Sequence, residues 1–234
     1  MDATESLDSE SRPARGIVRV DLNISLDGFA TTTDQTPENP FGEDWGRLVD
    51  AYTATRTFRA RVLGDTTGGG TTGVDEKYAQ EYFVDVGAEI MGAGMFGLHD
   101  HANDPDWRGW WGDEPPFRVP VFVLTHTPRP SIEMAGGTVF HFIDAAPSDA
   151  LARAQDVAAG RDVRIGGGAS TARAFLAAGL VDRLHVAIAP ILLGRGIRLW
   201  DDLRGLEANS TVTTETAESG TVHVTFDRAA AASR

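Results

Sequence analysis

The chain contains no cysteine in its 234 residues. That absence excludes disulfides, thiolate catalysis and Cys-ligated zinc, and it fits a cytoplasmic location. Lysine is nearly absent too: Lys77 is the single example, with no tyrosine four residues before it and no glycine beside it. A P-loop and a Tyr/Lys hydride-transfer pair are therefore excluded, and a buried Schiff-base lysine is not expected. Positive charge is scarce, with 21 Lys and Arg against 34 Asp and Glu and a formal net charge of −13. Nucleic acid and anionic membranes reward cations, so neither is an expected partner. No apolar run approaches the length of a membrane span. The opening residues, MDATESLDSESR, are acidic and polar without an apolar centre, and read as a disordered tail over 1–15 rather than a signal peptide.

What remains, 41% apolar, suffices for one sizeable core, and residues 16–228 read as one domain followed by a short tail over 229–234. Val18, Val20, Leu22 and Ile24 alternate with Arg19, Asp21 and Asn23, the period of a strand. A loop through Thr31, Thr32, Thr33 and Pro37 to Pro40 leads to a helix from about Glu43 to Val62. The Gly- and Thr-rich run Gly64 to Gly73 reads as a mobile loop. A helix over Asp75 to Val84 precedes a strand over Val86 to Met91. Strands follow at Val119 to Thr125 and Thr138 to Ile143, then a helix at Pro147 to Ala159. Closing strands near Thr211–Thr216 and Thr221–Phe226 complete an α/β pattern.

One block carries most of the chemistry. The β-branched run Val163 to Ile165 ends in Gly166, Gly167 and Gly168. Helical spacing follows at Ala172, Phe175, Leu176, Gly179 and Leu180, then strand alternation at Leu184, Val186 and Ile188. Strand, glycine turn and helix start place bare N–H groups and a positive dipole end where a phosphate can sit. Gly166, Gly167, Gly168 and Ala169 would let backbone approach the ligand, and Ser170 and Thr171 add hydroxyls. The same glycines also suit a tight turn needing φ > 0.

A literal G-x-G-x-x-G occurs at Gly92, Gly94 and Gly97 after a strand, yet no long helix is predicted after it and no acidic residue closes a second βαβ strand. The segment Gly92 to Phe117 is long and holds Trp107, Trp110 and Trp111 before Pro115-Pro116. It fits a lid stacking on a flat ring, an apolar plug or a dimer contact. His99 and His101 sit in a loop without a clear third ligand, so no metal is expected.

Gly166-Gly167-Gly168, then Ala178-Gly179-Leu180-Val181-Asp182, then Ala189-Pro190-Ile191-Leu192-Leu193-Gly194-Arg195-Gly196 stand in the order and places they hold in a known family. The chain resembles the C-terminal reductase domain of the riboflavin-biosynthesis deaminase-reductases, within the dihydrofolate-reductase-like superfamily. The resemblance spans about Ile17 to Asp227. It implies a dihydrofolate-reductase-like three-layer α/β/α fold, with a mixed, mostly parallel central sheet and an antiparallel C-terminal edge. It further implies NADPH in preference to NADH, hydride transfer to a small heterocyclic or carbonyl/imine substrate, and a homodimer.

Site residues follow from the same resemblance. Gly92, Met95 and Phe96 match a cofactor-binding strand end, but Ala93 replaces the arginine that would meet the 2′-phosphate of NADP. Thr125, His126 and Arg129 occupy the strand end that receives the adenosine phosphate, His126 adding charge when protonated. Ser25-Leu26-Asp27-Gly28 matches the loop bordering the nicotinamide, making Asp27 the candidate proton relay, its pKa raised if buried beside an apolar ring. Asp27-Gly28 also suits a plain turn. With Ala93 in view, a non-catalytic dinucleotide- or ligand-binding dimer of the same fold is the alternative.

Overall fold

The structure, a computed structural model, describes residues 15–31, 35, 36, 38, 39, 41–101 and 103–229. The expected tails, apart from Arg15 and Ala229, lie outside the described residues, as do Thr32, Thr33, Pro37 and Pro40.

The first strand, β1 (Val18–Ser25), is followed by the short β2 (Phe29–Thr31). The helix expected over Glu43 to Val62 divides into α1 (Trp45–Thr53) and α2 (Arg56–Arg61). Thr55 causes the break: it is extended, its hydroxyl accepts from Phe58 N, and it bridges to Thr71. Ala54 O accepts from Thr71 N at 2.9 Å and Thr71 O accepts from Arg56 N at 3.2 Å. The run expected as a mobile loop is thereby stitched into the break. Asp65 ties it further, accepting from Arg59 Nε and from Thr67 Oγ1.

After α3 (Val74–Phe83) come β3 (Val86–Gly92), α4 (Ala93–Phe96), β4 (Pro120–Leu124), β5 (Ile132–Glu133) and β6 (Val139–Ile143). Then α5 (Pro147–Ala158), β7 (Asp162–Gly167), α6 (Ala169–Ala177) and β8 (Arg183–Ala189) alternate. The chain closes with β9 (Ile197–Arg198), β10 (Ser210–Thr216) and β11 (Val222–Arg228).

Nine strands form one sheet in the order β10-β11-β8-β1-β7-β3-β4-β6-β5. The six central strands are parallel. Antiparallel pairs close both edges, β10–β11 at the expected C-terminal edge and β5–β6 at the other. The second edge was not foreseen, because two residues of β5 carry no period. A separate antiparallel pair joins β2 to β9.

One face of the sheet is aliphatic. Val18, Val20 and Ile24 of β1 pack with Val163 and Ile165 of β7, under Ala150, Leu151 and Ala154 of α5 and Phe175 of α6. Full burial of each large side chain is worth roughly 1.5–3 kcal/mol, and this cluster is the main stabilising element. The opposite face, under α1 to α3, is polar yet buried: Arg19, Glu89, Arg164 and His185 are each at most 8% exposed. In a three-layer sheet both faces are covered, so the alternating polar residues of β1 meet helices, not solvent.

The last turn of α3 shows how that face is satisfied. Tyr82 O and Val84 O, at the helix C-terminus, accept from Arg19 Nη2 at 3.1 and 2.9 Å, and Tyr82 O also accepts from Arg164 Nη1 at 2.7 Å. Two guanidinium groups thus meet carbonyls that have no intrahelical donor and the negative end of the helix dipole. Arg164 also lies 3.7 Å from the Tyr82 ring centroid and donates through Nη2 to Glu89 Oε2. Burial works against the Arg164 charge, but Glu89, Tyr82 and Asp21 together more than offset it, and the Arg164 pKa is raised.

Candidate functional site

A cleft of about 970 Å³ opens where the parallel strands end, bounded by α1 and α3 on one side and by the starts of α4 and α6 on the other. At one end lie Gly92, Met95, Thr125, His126 and the continuous run Gly166 to Thr171. At the other end stand Asp21, Asn23 and His185 on the sheet, beneath Tyr78 and Tyr82 of α3. Trp45 and Trp110 flank the opening with Phe41.

The glycine end is built by close approach. A Cβ at Gly166 would stand 2.0 Å from Glu89 Oε1, and one at Gly92 would stand 2.4 Å from Thr171 Oγ1. Only glycine lets β7 pass beside the buried ion pair and lets β3 meet α6. Gly168 differs: its Cβ would meet nothing within 4 Å, so its open side is free space. Gly168 is the N-cap of α6, and no side chain caps that helix, whose first backbone bond runs from Ala172 N to Gly168 O. The amides of the first turn have no acceptor within the helix. That open cradle, amide-lined with two hydroxyls beside it, fits a pyrophosphate.

Thr125, His126 and Thr127 form the next wall. Thr125 Oγ1 accepts from Thr127 N at 3.2 Å, and His126 Nδ1 lies 3.4 Å from Asp144 Oδ1 with its side chain fully exposed. No lysine or arginine lines the cleft among the described residues. Arg129, expected here, is turned away. Its guanidinium donates to Asp104 O at 3.1 Å and to Trp107 O, and it covers the Phe142 ring at 4.5 Å. Held by two carbonyls and two rings, it braces the Trp-rich segment.

Phe96 is likewise not a cleft residue. It is fully buried, packed against Phe140 and Phe142, while its carbonyl accepts from Trp107 Nε1 at 2.8 Å. His101 stacks on Trp107 at 3.7 Å, and Trp111 packs against Phe96, Phe117 and Phe140. Most of the Trp segment therefore plugs a second apolar cluster, and Trp110 and Trp111 reach the cleft. Gly97 makes this possible: it sits at φ +89 after α4, and a Cβ there would meet the Trp110 ring at 2.6 Å.

Asp27 stands outside the cleft lining. Its carboxylate accepts from Ser25 Oγ at 2.6 Å, Leu193 N at 3.1 Å and Gly194 N at 2.7 Å. It pins the Leu193–Gly194 loop onto the first strand's exit. A raised pKa was expected from burial; the Ser25 hydroxyl and the two amides instead lower it to about 2. A depressed carboxylate contributes stability that is present above its unfolded value and lost as pH falls through the folded one. Asp27→Asn should therefore lower the melting temperature at pH 7 and flatten the loss of stability between about pH 4 and pH 2, where the folded carboxyl titrates. Parallel melting curves for the two proteins across that range would refute the assignment.

The polar end of the cleft was missed. Asp75, Tyr78, Ala79 and Tyr82 share one face of α3, at the i, i+3, i+4, i+7 spacing usually given to an aliphatic stripe. Asp75 Oδ1 is 2.9 Å from His223 Nε2, His223 Nδ1 is 3.0 Å from His185 Nε2, and His185 Nδ1 is 3.3 Å from Asp21 Oδ1. Tyr78 stacks on both imidazoles, at 4.4 and 4.1 Å and within 6° of parallel. Two histidines on separate strands, each flanked by alternating apolar residues, give no local signal of this pairing.

Comparison with known proteins agrees with this architecture. A putative riboflavin biosynthesis protein from Shewanella sp. PV-4 superposes with a TM-score of 0.57 at 20% identity, covering 92% of this chain and 99% of that one. Dihydrofolate reductase from Enterococcus faecalis, complexed with NADP(H), gives a TM-score of 0.51 at 12% identity, covering 92% and 98%. The deaminase/5-amino-6-(5-phosphoribosylamino)uracil reductase of Thermotoga maritima gives 0.54 at 14% identity, with 92% of this chain matching 57% of that one. These likenesses show a shared fold. In sequence, 67 residues are 36% identical to the uncharacterized protein YyaP of Bacillus subtilis (strain 168), spanning 29% of this chain and only 36% of that protein's length. No helix among the described residues is long and apolar enough to cross a membrane. Residues 17–223 match the RibD C-terminal domain, and the chain belongs to that family.

Proposed function

We propose that this protein is a cytoplasmic, homodimeric NADPH-dependent reductase that transfers hydride to a small heterocyclic or carbonyl/imine substrate. The observation that carries the reading is the continuity of the cleft, from an open, uncapped helix start to a polar, aromatic chamber. Cofactor and acceptor need such a continuous space to meet. The amides and hydroxyls of Gly167, Gly168, Ala169, Ser170 and Thr171 would hold the pyrophosphate, with Gly166, Gly92 and Met95 shaping the floor. Thr125 and His126 would meet the adenosine phosphate in place of the arginine that Ala93 lacks. When bound, a reduced nicotinamide supplies the hydride; the protein's part is orientation, exclusion of water and placement of charge. Trp45, Trp110 and Tyr52 line the chamber, and a flat ring stacks well on such a surface.

Titration with NADPH and, separately, NADH tests the reading, because Trp45 and Trp110 line the cleft and should be quenched on binding. Saturable quenching by NADPH at micromolar levels, with NADH at least about tenfold weaker, is the expected result. NADPH oxidation should then accelerate when a reducible ketone or imine is added. Failure of both nucleotides to bind would overturn the proposal.

A further inference from the structure

We propose that Asp75, His223, His185 and Asp21 form a proton relay that stores one proton in the chamber and delivers it to the heteroatom of the hydride acceptor. The inference rests on the reductase reading above.

Three links join the four groups, at 2.9, 3.0 and 3.3 Å. Each link needs a proton between its two heavy atoms. Two neutral imidazoles own one proton each, and ionised carboxylates own none. The chain is complete only with a third proton, held as one imidazolium shared by two rings or as a carboxylic acid at an end. That shared proton couples the two rings to each other.

The surroundings keep that proton available. Tyr78 lies flat against both rings and holds them within 7° of coplanar. From α3, Asp75 faces His223 and Tyr78 stacks on it, with Lys77 Nζ 4.9 Å from the Tyr78 ring centroid. From β10, Glu215 accepts from Tyr78 Oη and Lys77 Nζ. From β1, Arg19 Nε lies 4.0 Å from Asp21 Oδ2. From β7, Arg164 acts on Asp21 through its charge, and Tyr52 of α1 lies against the same row. Burial would push Asp21 up, but the His185 hydrogen bond and the charges of His185, Arg19 and Arg164 hold it below the usual carboxylate range. Burial depresses His223, and the neighbouring His185 charge adds to this while Asp75 opposes it. Asp21 therefore stays anionic, and burial disfavours a charge resting on His223.

The relay also points the right way. Val20 of β1 pairs with Ile165 of β7, so Asp21 follows one strand while Gly166 follows its neighbour. Asp21 thus stands about one strand spacing, ~4.8 Å, from the start of the glycine cradle, with His185 on its other side. As hydride adds to the carbon of a C=N or C=O acceptor, the π electrons move to the heteroatom. That atom takes the third proton, the chain keeps two, and solvent restores the loss. The reduced nicotinamide leaves oxidised by two electrons, so charge and atoms balance.

Two measurements on the full chain test this. In ¹⁵N-histidine NMR of the ligand-free protein, His185 and His223 should respond together over one pH step and show an exchange-protected proton between them. In turnover, kcat should fall as pH rises and the third proton is lost. His223→Gln, which spares both ends of the chain, should remove that dependence and lower kcat about 100-fold, with NADPH affinity unchanged. Histidine→Asn at His185 should behave alike if the first variant folds poorly. Separate titration of the two rings, or an unchanged pH profile in both variants, would overturn the relay. A failed cofactor titration would instead remove the reductase reading, and the NMR result stands independently of it.

Discussion

Replacing Arg164 with Met should cost the fold about 3–5 kcal/mol, the usual consequence of leaving one member of a buried ion pair without its partner. Glu89 is fully buried and Arg164 is 2% exposed, so little solvent can reach the stranded carboxylate. The same change removes one of the two donors to Tyr82 O, leaving Arg19, and the cation over the Tyr82 ring. Urea denaturation of four proteins decides the point: the parent, Arg164→Met, Glu89→Met and the double variant. The double variant should recover much of the loss, since apolar replacement of both partners removes the uncompensated charge. A single variant that loses less than about 1 kcal/mol would mean that water or another group satisfies Glu89.

Gly168→Asp should separate binding from folding, with opposite signs. The position has φ −76 and a Cβ there meets nothing, so a side chain has room. Aspartate is a favoured N-cap, and the new side chain should leave the melting temperature unchanged or higher. A carboxylate placed where a pyrophosphate sits repels it by about 4 kcal/mol, a thousandfold in Kd for NADPH. Gly167 is a poorer place for this test, because its φ of +122 strains any substituted residue. Undiminished NADPH affinity in Gly168→Asp would place the phosphate elsewhere.

The sheet could be read from the sequence wherever one strand face was aliphatic. Val18, Val20 and Ile24 announced β1, and the glycine block announced β7 and α6, although β7 runs on through Gly167 and α6 ends at Ala177, before Leu180. Short pairs such as β5 and β9 lay beyond reach, since two residues show no period. The Thr55 break was hidden because a long-range contact with Thr71, not local propensity, decides it. The glycine end of the cleft was legible because close backbone approach restricts the residue type. Its polar end was not: Arg19, Asp21 and Asn23 look like a solvated strand face until three helices cover them. Arg129 and Asp27 were assigned from position along the chain, whereas the direction and hydrogen bonds of each side chain set its role.

Strand order carries a last consequence, for biosynthesis. The neighbours of β1 are β7 and β8, with Val18 opposite Val163 and Arg19 opposite Arg183. The strands β3, β4 and β6 pair among themselves and can begin to assemble with α5 as soon as they emerge. The strand β1 has no partner in the main sheet until more than 140 residues later, as the pairing of Val18 with Val163 requires. Its closure is a long-range, slow event, and an apolar strand waits exposed meanwhile. Synthesis halted before β7 would leave β1 unpaired, a natural substrate for holdase chaperones.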